Sequence, residues 1–508
     1  MKAIIRKKII HKRRVLPAIV IASIVGTVSI LASCNKLVED PDSVVVSTQF
    51  YKTQSDAIAA VNAVYNTLNA SPGDFPMYGR QLNLLTDNAS DNHNFSPSNT
   101  NPDVRAMGTV TYVSSNGRIL KNWQQHYFGI NRANIAIDNI ALIDSTSFNN
   151  TALKQRLINE AKFIRGLLYF NLVRLFGDVP LALHNPTSTD LRSIQIPRTS
   201  KDSVYLQVIK DLKDATALPK SYSGGDIGRI TSGAAHALLA KVYVTRRQWS
   251  DALTELQAVL NGGYNYTLFP NFKDVFQKAT KNGVEHIFSV QFNGNGGEAN
   301  SVQYLSSSFT SFNTGSFPID IISDSSIVKI FADNDTRKAV SFYTTQYNPA
   351  TGQTVTFDNP YTPYLNKFVD YTVTPLNSQN LSSINFPVIR YAEILLLQAE
   401  VLNELNGGPT IEAYNAIDQV RYRANVPGLI QGLSQAAFRD SVFLERRKEF
   451  IQEGQRWFDL VRKGGSSLVD ALHKIAAKAA ASPKDTLFPI PLTEIQLNPL
   501  LTQNPGWE

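Results

Sequence analysis

EAKFIRGLLYFNLVRLF, residues Glu160 to Phe176 of a 508-residue chain, carries two apolar stripes at helical spacing. Ala161, Ile164, Leu168, Leu172 and Leu175 make one stripe, and Phe163, Leu167 and Phe170 make the second. A helix with one stripe lies on a surface. A helix apolar on two faces is sandwiched between neighbours, as in a stacked helical array. Gly177 supplies a C-cap and Pro180 prevents the helix from resuming.

Working outward, the same period recurs. Upstream, Thr53-Gln54-Ser55-Asp56 reads as a capping sequence ahead of Ile58, Val61, Tyr65 and Leu68. Gly117 to about Leu142 is a further helix, and downstream Ser203 to Leu218 is closed by Pro219. Thr231 caps a run from Ala234 to Arg246, in which Gly233, Ala234, Ala237 and Ala240 let a partner helix approach closely. Trp249, Ala252, Leu256 and Val259 mark the returning helix. Leu239-Ala240-x-x-Tyr243 followed by Trp249-x-x-Ala252 has the pattern of a tetratricopeptide unit. Tyr391 to Leu405, Gly407-Gly408-Pro409 and Glu412 to Arg423 repeat the logic without a fixed period.

The expected fold is therefore mostly α, a tetratricopeptide-like helical-repeat scaffold over about 49–68, 117–261 and 386–508. Two stretches rich in Asn, Ser, Thr and aromatics, about 69–116 and 262–385, are expected to form an irregular, short-strand half within the same domain, 49–508. Long irregular segments on a rigid scaffold are where binding tends to reside.

The N-terminal end reads as an export leader. Lys2, Arg6, Lys7, Lys8, Lys12, Arg13 and Arg14 precede an apolar run from Val15 to Leu31, and Leu31-Ala32-Ser33 leads into Cys34, the sole cysteine. Small residues before a cysteine suit lipoprotein processing, so 1–33 is expected to be removed and Cys34 acylated (palmitate). Residues 34–48, with Pro41, then form a tether. The leader's seven cations account for the whole net charge of +7. The remainder is near neutral, which removes the compositional case for nucleic-acid binding.

Signs of catalysis are scarce. No two histidines stand in a zinc spacing, no second cysteine can join a thiolate site, and phosphate-binding loops and nucleophile elbows are missing. No metal or cofactor is expected. Asp87 and Asp91, within Thr86 to Phe95 (TDNASDNHNF), are the acids from which a glycosidase pair would be drawn. Their plainer reading is as turn caps or acceptors of sugar hydroxyls, beside Asn88 and Asn92. Phe75, Tyr78, Phe95, Tyr304, Phe309 and Phe312 stand among polar loop residues, where a ring can stack on the apolar face of a sugar or plug its loop onto the helices.

An ordered set of blocks then carries a resemblance. Asn131-Arg132-Ala133-Asn134 is followed by the 160–176 helix with Gly177-Asp178-Val179-Pro180, then by Gly228-Arg229-Ile230-Thr231 and Arg390-Tyr391-Ala392-Glu393. Val420-Arg421 and Arg423-Ala424 come next, then Glu445-Arg446-Arg447-Lys448-Glu449-Phe450, Glu453-Gly454, Arg456-Trp457-Phe458-Asp459-Leu460 and Arg462. Phe488-Pro489-Ile490-Pro491 and Gln503-Asn504-Pro505-Gly506-Trp507 close the set. Behind a lipobox, this order resembles the SusD/RagB family of outer-membrane nutrient-binding lipoproteins. The resemblance implies a tetratricopeptide-like scaffold with an irregular ligand-binding half, anchored to the outer membrane and facing outward. It implies no catalysis: such a protein captures glycans, or peptides, as the lid of a SusC-like TonB-dependent transporter.

The motif blocks read as architecture, with Arg447, Glu449, Glu453, Arg456 and Asp459 as an ion network between helices. The ligand is expected near Asp87, Asn88, Asp91, Asn92, Phe95, Tyr304 and Phe309, the stretches where the family's ligands bind. Two other readings stay open: a scaffold that gates a transporter without a small ligand of its own, and a glycoside hydrolase.

Overall fold

Helix α1 (Gln54–Asn69) starts where Thr53 and Asp56 cap each other. The Asp56 amide donates to Thr53 Oγ1 at 3.2 Å, and the Thr53 amide donates to Asp56 Oδ2 at 2.8 Å. The computed structural model describes residues 50–69, 75–96, 99–186, 188, 190–294, 298–306, 320–348, 351–356, 363–373 and 381–508. The leader, Cys34, the tether, Phe309 and Phe312 lie outside the described residues. Among the described residues no helix is long and apolar enough to cross a membrane.

Helices of eight residues or more continue with α2 (Pro102–Thr109), α3 (Gly117–Leu142), α4 (Thr151–Phe176), α5 (Lys201–Ala215), α6 (Ser232–Thr245) and α7 (Trp249–Asn261). After the irregular stretch come α8 (Tyr391–Leu405), α9 (Ile411–Arg423), α10 (Gln435–Glu449) and α11 (Arg456–Lys463). Their starts follow from sequence. Side-chain oxygens of Asn116, Asn150, Ser200, Thr231, Thr410 and Ser434 accept the first free amides of α3, α4, α5, α6, α9 and α10.

Each helix packs on the next in a chain α3–α4–α5–α6–α7–α8, with α9 and α10 against α8 and α1 across α3 and α4. As the double stripe requires, α4 is buried almost without interruption from Leu157 to Phe176. The buried Arg165 guanidinium is satisfied by both neighbours: it bonds Asp211 of α5 at 2.8 Å and Asn134 of α3 at 2.9 Å. Leu395, Leu396 and Ala399 of α8, Ile417 and Val420 of α9, and Phe438 and Val442 of α10 form one apolar cluster.

The array is interrupted in sequence and continuous in space. α7 ends at Asn261 and α8 begins at Tyr391, yet the two pack as consecutive repeats. The intervening chain leaves and returns through an antiparallel pair, β2 (His286–Val290) with β8 (Phe386–Arg390). Between them lie short ladders: β3 (Asp320–Ile322), which pairs β1 (His93–Phe95), then β4 (Phe342–Tyr343) with β7 (Tyr364–Leu365), and β5 (Thr345–Asn348) with β6 (Gln353–Thr356). The β1–β3 ladder joins the two stretches expected to be irregular. The first departs from that expectation: Asn101 caps α2, Pro102 occupies its first turn, and Leu84–Asn88 forms a buried helical turn.

Candidate ligand-binding site

The segment that follows α10 organises the site. Phe450 ends the helix, and Gln452 (φ +67°) and Gly454 (φ +69°) take left-handed backbone before α11 starts at Arg456. A glycine adopts that conformation freely, whereas glutamine pays about 1 kcal/mol for it. The tight turn points groups from 447–456 at two loops far away in sequence.

The first is 87–95. Asp87 Oδ1 accepts the Gly454 amide at 3.0 Å, and its Oδ2 accepts Asn83 Nδ2 at 2.7 Å. Asp91 receives Nε and a terminal nitrogen of Arg456 at 2.8 and 2.9 Å, and Arg447 at 3.0 Å. Asn92 Oδ1 accepts Arg447 Nε at 2.6 Å, and Lys478 donates to the Asn88 carbonyl at 2.9 Å. Burial alone would raise the Asp91 carboxyl, but the Arg456 and Arg447 guanidiniums overcome it and hold the group at about 2.

The second loop, 301–306, rests on the same base: Gln452 Nε2 donates to the Ser306 hydroxyl at 2.6 Å. Gln303 Oε1 accepts the Asp370 amide at 2.9 Å, so the loop is pinned from both sides. A link runs back from β3, where Ser323 donates its amide to the Asn92 carbonyl at 2.9 Å and its hydroxyl to the Asp91 carbonyl at 2.7 Å.

These contacts revise the expected roles. Asp87, Asn88, Asp91 and Asn92 are 1–3% exposed, and the described contacts of their carboxylates and amides face inward. The Asp91 carboxylate, committed to two guanidiniums, has little left to offer a sugar hydroxyl. Phe95 and Tyr304 stay half-buried. The Arg105 guanidinium lies 5.3 Å from the Phe95 ring centre. Among the other loop aromatics, Tyr78 is 4% exposed, accepts Asn171 Nδ2 at 2.9 Å and tilts against Phe386, a core plug. Phe75 lies under the Arg80 guanidinium, 3.0 Å from ring centre to carbon.

Behind the site lies the network read from the motif blocks. Arg390, 1% exposed, bonds Glu285 at 2.8 Å, Glu449 at 2.6 Å and Glu453 at 2.8 Å. Arg337 bridges Asp335, Glu445 and Glu449, Arg423 reaches Glu285 and Glu449, and Lys367 bonds Glu453 at 2.9 Å. Burial would raise Glu449, yet Arg423, Arg390 and Arg337 keep it well below the usual carboxylate range. On the far side of α10, Arg446 bonds Asp459, which also meets Arg462. Asp335 also caps the short 336–341 helix. A nearby 30 Å³ cavity, lined by Arg174 and Lys241, has room for a water or two and no ligand. Burial brings Arg174 down to about 10 and Lys241 to about 8.

The family model described as "SusD family" matches residues 261–507, and the one described as "Starch-binding associating with outer membrane" matches residues 37–244. SusD-like protein P2 of Formosa agariphila is 28% identical over 94% of this chain and 97% of its own length. A SusD superfamily structure from Parabacteroides distasonis superposes with a TM-score of 0.76 at 25% identity, covering 91% of this chain and all of that one. A laminarin-binding SusD-like protein gives 0.73 at 26% identity, covering 90% of this chain and 100% of that one. The array interrupted between α7 and α8, the 447–459 ion network and the two matches that tile the chain on either side of α7 agree on one assignment: the chain belongs to the SusD/RagB family.

Proposed function

We propose that the protein is a non-catalytic glycan-binding lipoprotein of the outer membrane, anchored through Cys34 and facing outward. On this reading it captures oligosaccharide on a rim carried by the 87–95 and 301–306 loops and passes it to a SusC-like TonB-dependent transporter. The observation that carries the proposal is the shared base: Arg447, Gln452, Gly454 and Arg456 fix both loops from one turn. Two half-buried rings, Phe95 and Tyr304, are thereby presented on supports that cannot sag. Preorganised aromatic platforms suit a ligand whose rings stack and whose hydroxyls exchange easily with water. The laminarin-binding relative, alike along 90% of this chain, supports a β-glucan or similar neutral glycan over a charged one.

Glycoside hydrolysis at the Asp87–Asp91 pair is disfavoured on chemical grounds. A glycosidase pair must reach the sugar with both carboxyls, one of them protonated, whereas Asp87 and Asp91 are 2% and 3% exposed, and Asp91 is held at about 2 between two arginines. Affinity electrophoresis of the chain through gels cast with laminarin, starch, xylan and mannan tests the proposal, with chromatography of the same glycans after overnight incubation. Retardation by at least one glycan without new products is expected. Released oligosaccharides would overturn the non-catalytic reading, and unretarded migration in every gel would favour a transporter-gating scaffold. Co-purification of a TonB-dependent transporter from outer membranes through a tag on the C-terminus tests the partner.

A further inference from the structure

We infer that the helical scaffold carries a second carbohydrate subsite, in the groove between the Tyr264–Tyr266 pair and strand β2. The inference rests on the reading of the chain as a glycan binder, but its residues are separate from both loops of the rim.

Beyond α7 the chain turns through Gly262-Gly263 and lays down Tyr264 and Tyr266 on either side of Asn265. Their rings are parallel within 15°, with centroids 5.5 Å apart. Both are fixed from behind. The Tyr264 hydroxyl donates to Ser232 Oγ at 3.1 Å, and the Tyr266 hydroxyl lies 3.1 Å from Thr231 Oγ1. Both rings rest on Gly233, where an added Cβ would come within 2.9 Å of Tyr266 and 3.0 Å of Tyr264. The small residue at the start of α6 thus admits a pair of aromatic rings rather than a helix. The result is a fixed two-ring platform at the edge of a groove of about 320 Å³.

Tyr222, Arg229, and Phe288 and Ser289 of β2 also line the groove. Ser289 and Phe288 also border an adjoining cleft of about 250 Å³ that reaches Asn69 and Gln291. Among the described residues, three polar atoms of the groove's lining are buried and have no hydrogen-bond partner: the hydroxyl of Ser289 (3% exposed), Nδ1 of His286 (8% exposed) and the hydroxyl of Tyr222. His286 Nε2 lies 2.9 Å from the Val275 carbonyl, an arrangement that makes it the donor and leaves Nδ1 as an acceptor. Buried polar atoms left unpaired are costly, and a small movement of the wall that brings them to a ligand bearing donors and acceptors relieves that cost.

The charge of the groove narrows the ligand class. Arg229, its strongest charge, is neutralised by Glu160 at 2.9 Å and Asp226 at 2.7 Å. The groove's other cation, Lys220, donates to the Gly262 carbonyl at 2.9 Å and lies 5.8 Å from the Tyr264 ring centre, and no carboxylate belongs to the lining. Parallel rings with hydroxyl and imidazole groups and a single lysine match a sugar without positive charge, with C–H groups for the rings and hydroxyls for the polar wall. The volume fits a short stretch of oligosaccharide. Two subsites on one molecule hold a polymer more firmly than either alone, because the second contact is made at high effective concentration.

The test titrates the mature chain with hexasaccharides of β-1,3-glucan, starch, cellulose, xylan and mannan, and follows the binders by hydrogen–deuterium exchange. Protection at 220–231 and 262–268 is expected in addition to protection at the rim loops. Tyr264→Ala with Tyr266→Ala is expected to abolish the former and leave the latter, the second equivalent weakening by about tenfold or more. Tyr264→Phe with Tyr266→Phe keeps the rings and is expected to retain both. Protection confined to the rim in the wild-type chain would overturn the second subsite alone, and that measurement needs no variant to fold. Complete loss of binding in a Phe95→Ala, Tyr304→Ala chain would overturn it too. Failure of every hexasaccharide to bind would overturn both this inference and the glycan-binding role.

Discussion

Replacing Asp91 with asparagine removes the carboxylate on which Arg447 and Arg456 converge and leaves the shape nearly unchanged. The folded carboxyl sits at about 2, against an ordinary value of 3.8. A depressed carboxylate contributes stability that is complete above the unfolded value and is lost as pH falls through the folded one. That difference is worth about 2 kcal/mol at pH 7 and about 1 kcal/mol at pH 3, and it is nearly gone at pH 2. The two guanidiniums left facing an amide add to the cost, which places the loss at pH 7 at about 2–4 kcal/mol. Urea denaturation of the wild-type chain and Asp91→Asn at pH 7, 4 and 3 measures it. The gap is expected to hold between pH 7 and 4 and to narrow by pH 3. Equal stability at pH 7, or a gap that widens on acidification, would refute the claim that this ion pair anchors the loop.

Other consequences follow from buried charge. Arg390→Met strands Glu285, Glu449 and Glu453 without their shared cation and is expected to cost about 3–5 kcal/mol in urea denaturation. Lys210→Met, on the exposed face of α5, is expected to change stability by less than about 0.5 kcal/mol. His126 is fully buried, and its Nδ1 lies 2.6 Å from the Asn122 carbonyl. Burial holds its imidazole at about 4, below the ordinary 6.5, so the unfolded chain takes up the proton first. Stability therefore falls as pH drops below 6.5, and between pH 7 and 5 the wild-type chain is expected to lose about 2 kcal/mol more than His126→Phe.

The scaffold was legible because its signals are local. Gly117 to Leu142, the Thr231 cap and the Tyr391–Leu405 helix are set by a 3.6-residue period and by capping residues next to the helices they start, and the structure reproduces them. Helix α2 escaped notice because eight residues give too few turns for a stripe to stand out from the polar chain around it. The site was legible in part. The 86–95 loop was singled out, but Asp91 meets Arg456 across 365 residues, a distance that no local pattern encodes. Both ends of that contact were picked out separately, the acids as ligand contacts and the arginines as architecture. Joined, they make Asp91 part of that network. Tyr264 and Tyr266 carried a visible signal, two aromatics around one polar residue directly after Gly262-Gly263, but only the backing of Gly233 turns that spacing into a platform.

The central claim is that the two loops held by the 447–456 turn carry the primary ligand. Isothermal titration of the wild-type chain, Phe95→Ala with Tyr304→Ala, and Asp91→Asn against the best oligosaccharide tests it most directly. The account predicts an affinity loss of about tenfold or more for the aromatic pair with unfolding unchanged, and a smaller loss for Asp91→Asn that tracks its stability. Unaltered affinity in the aromatic double variant would contradict the account and move the ligand elsewhere on the molecule.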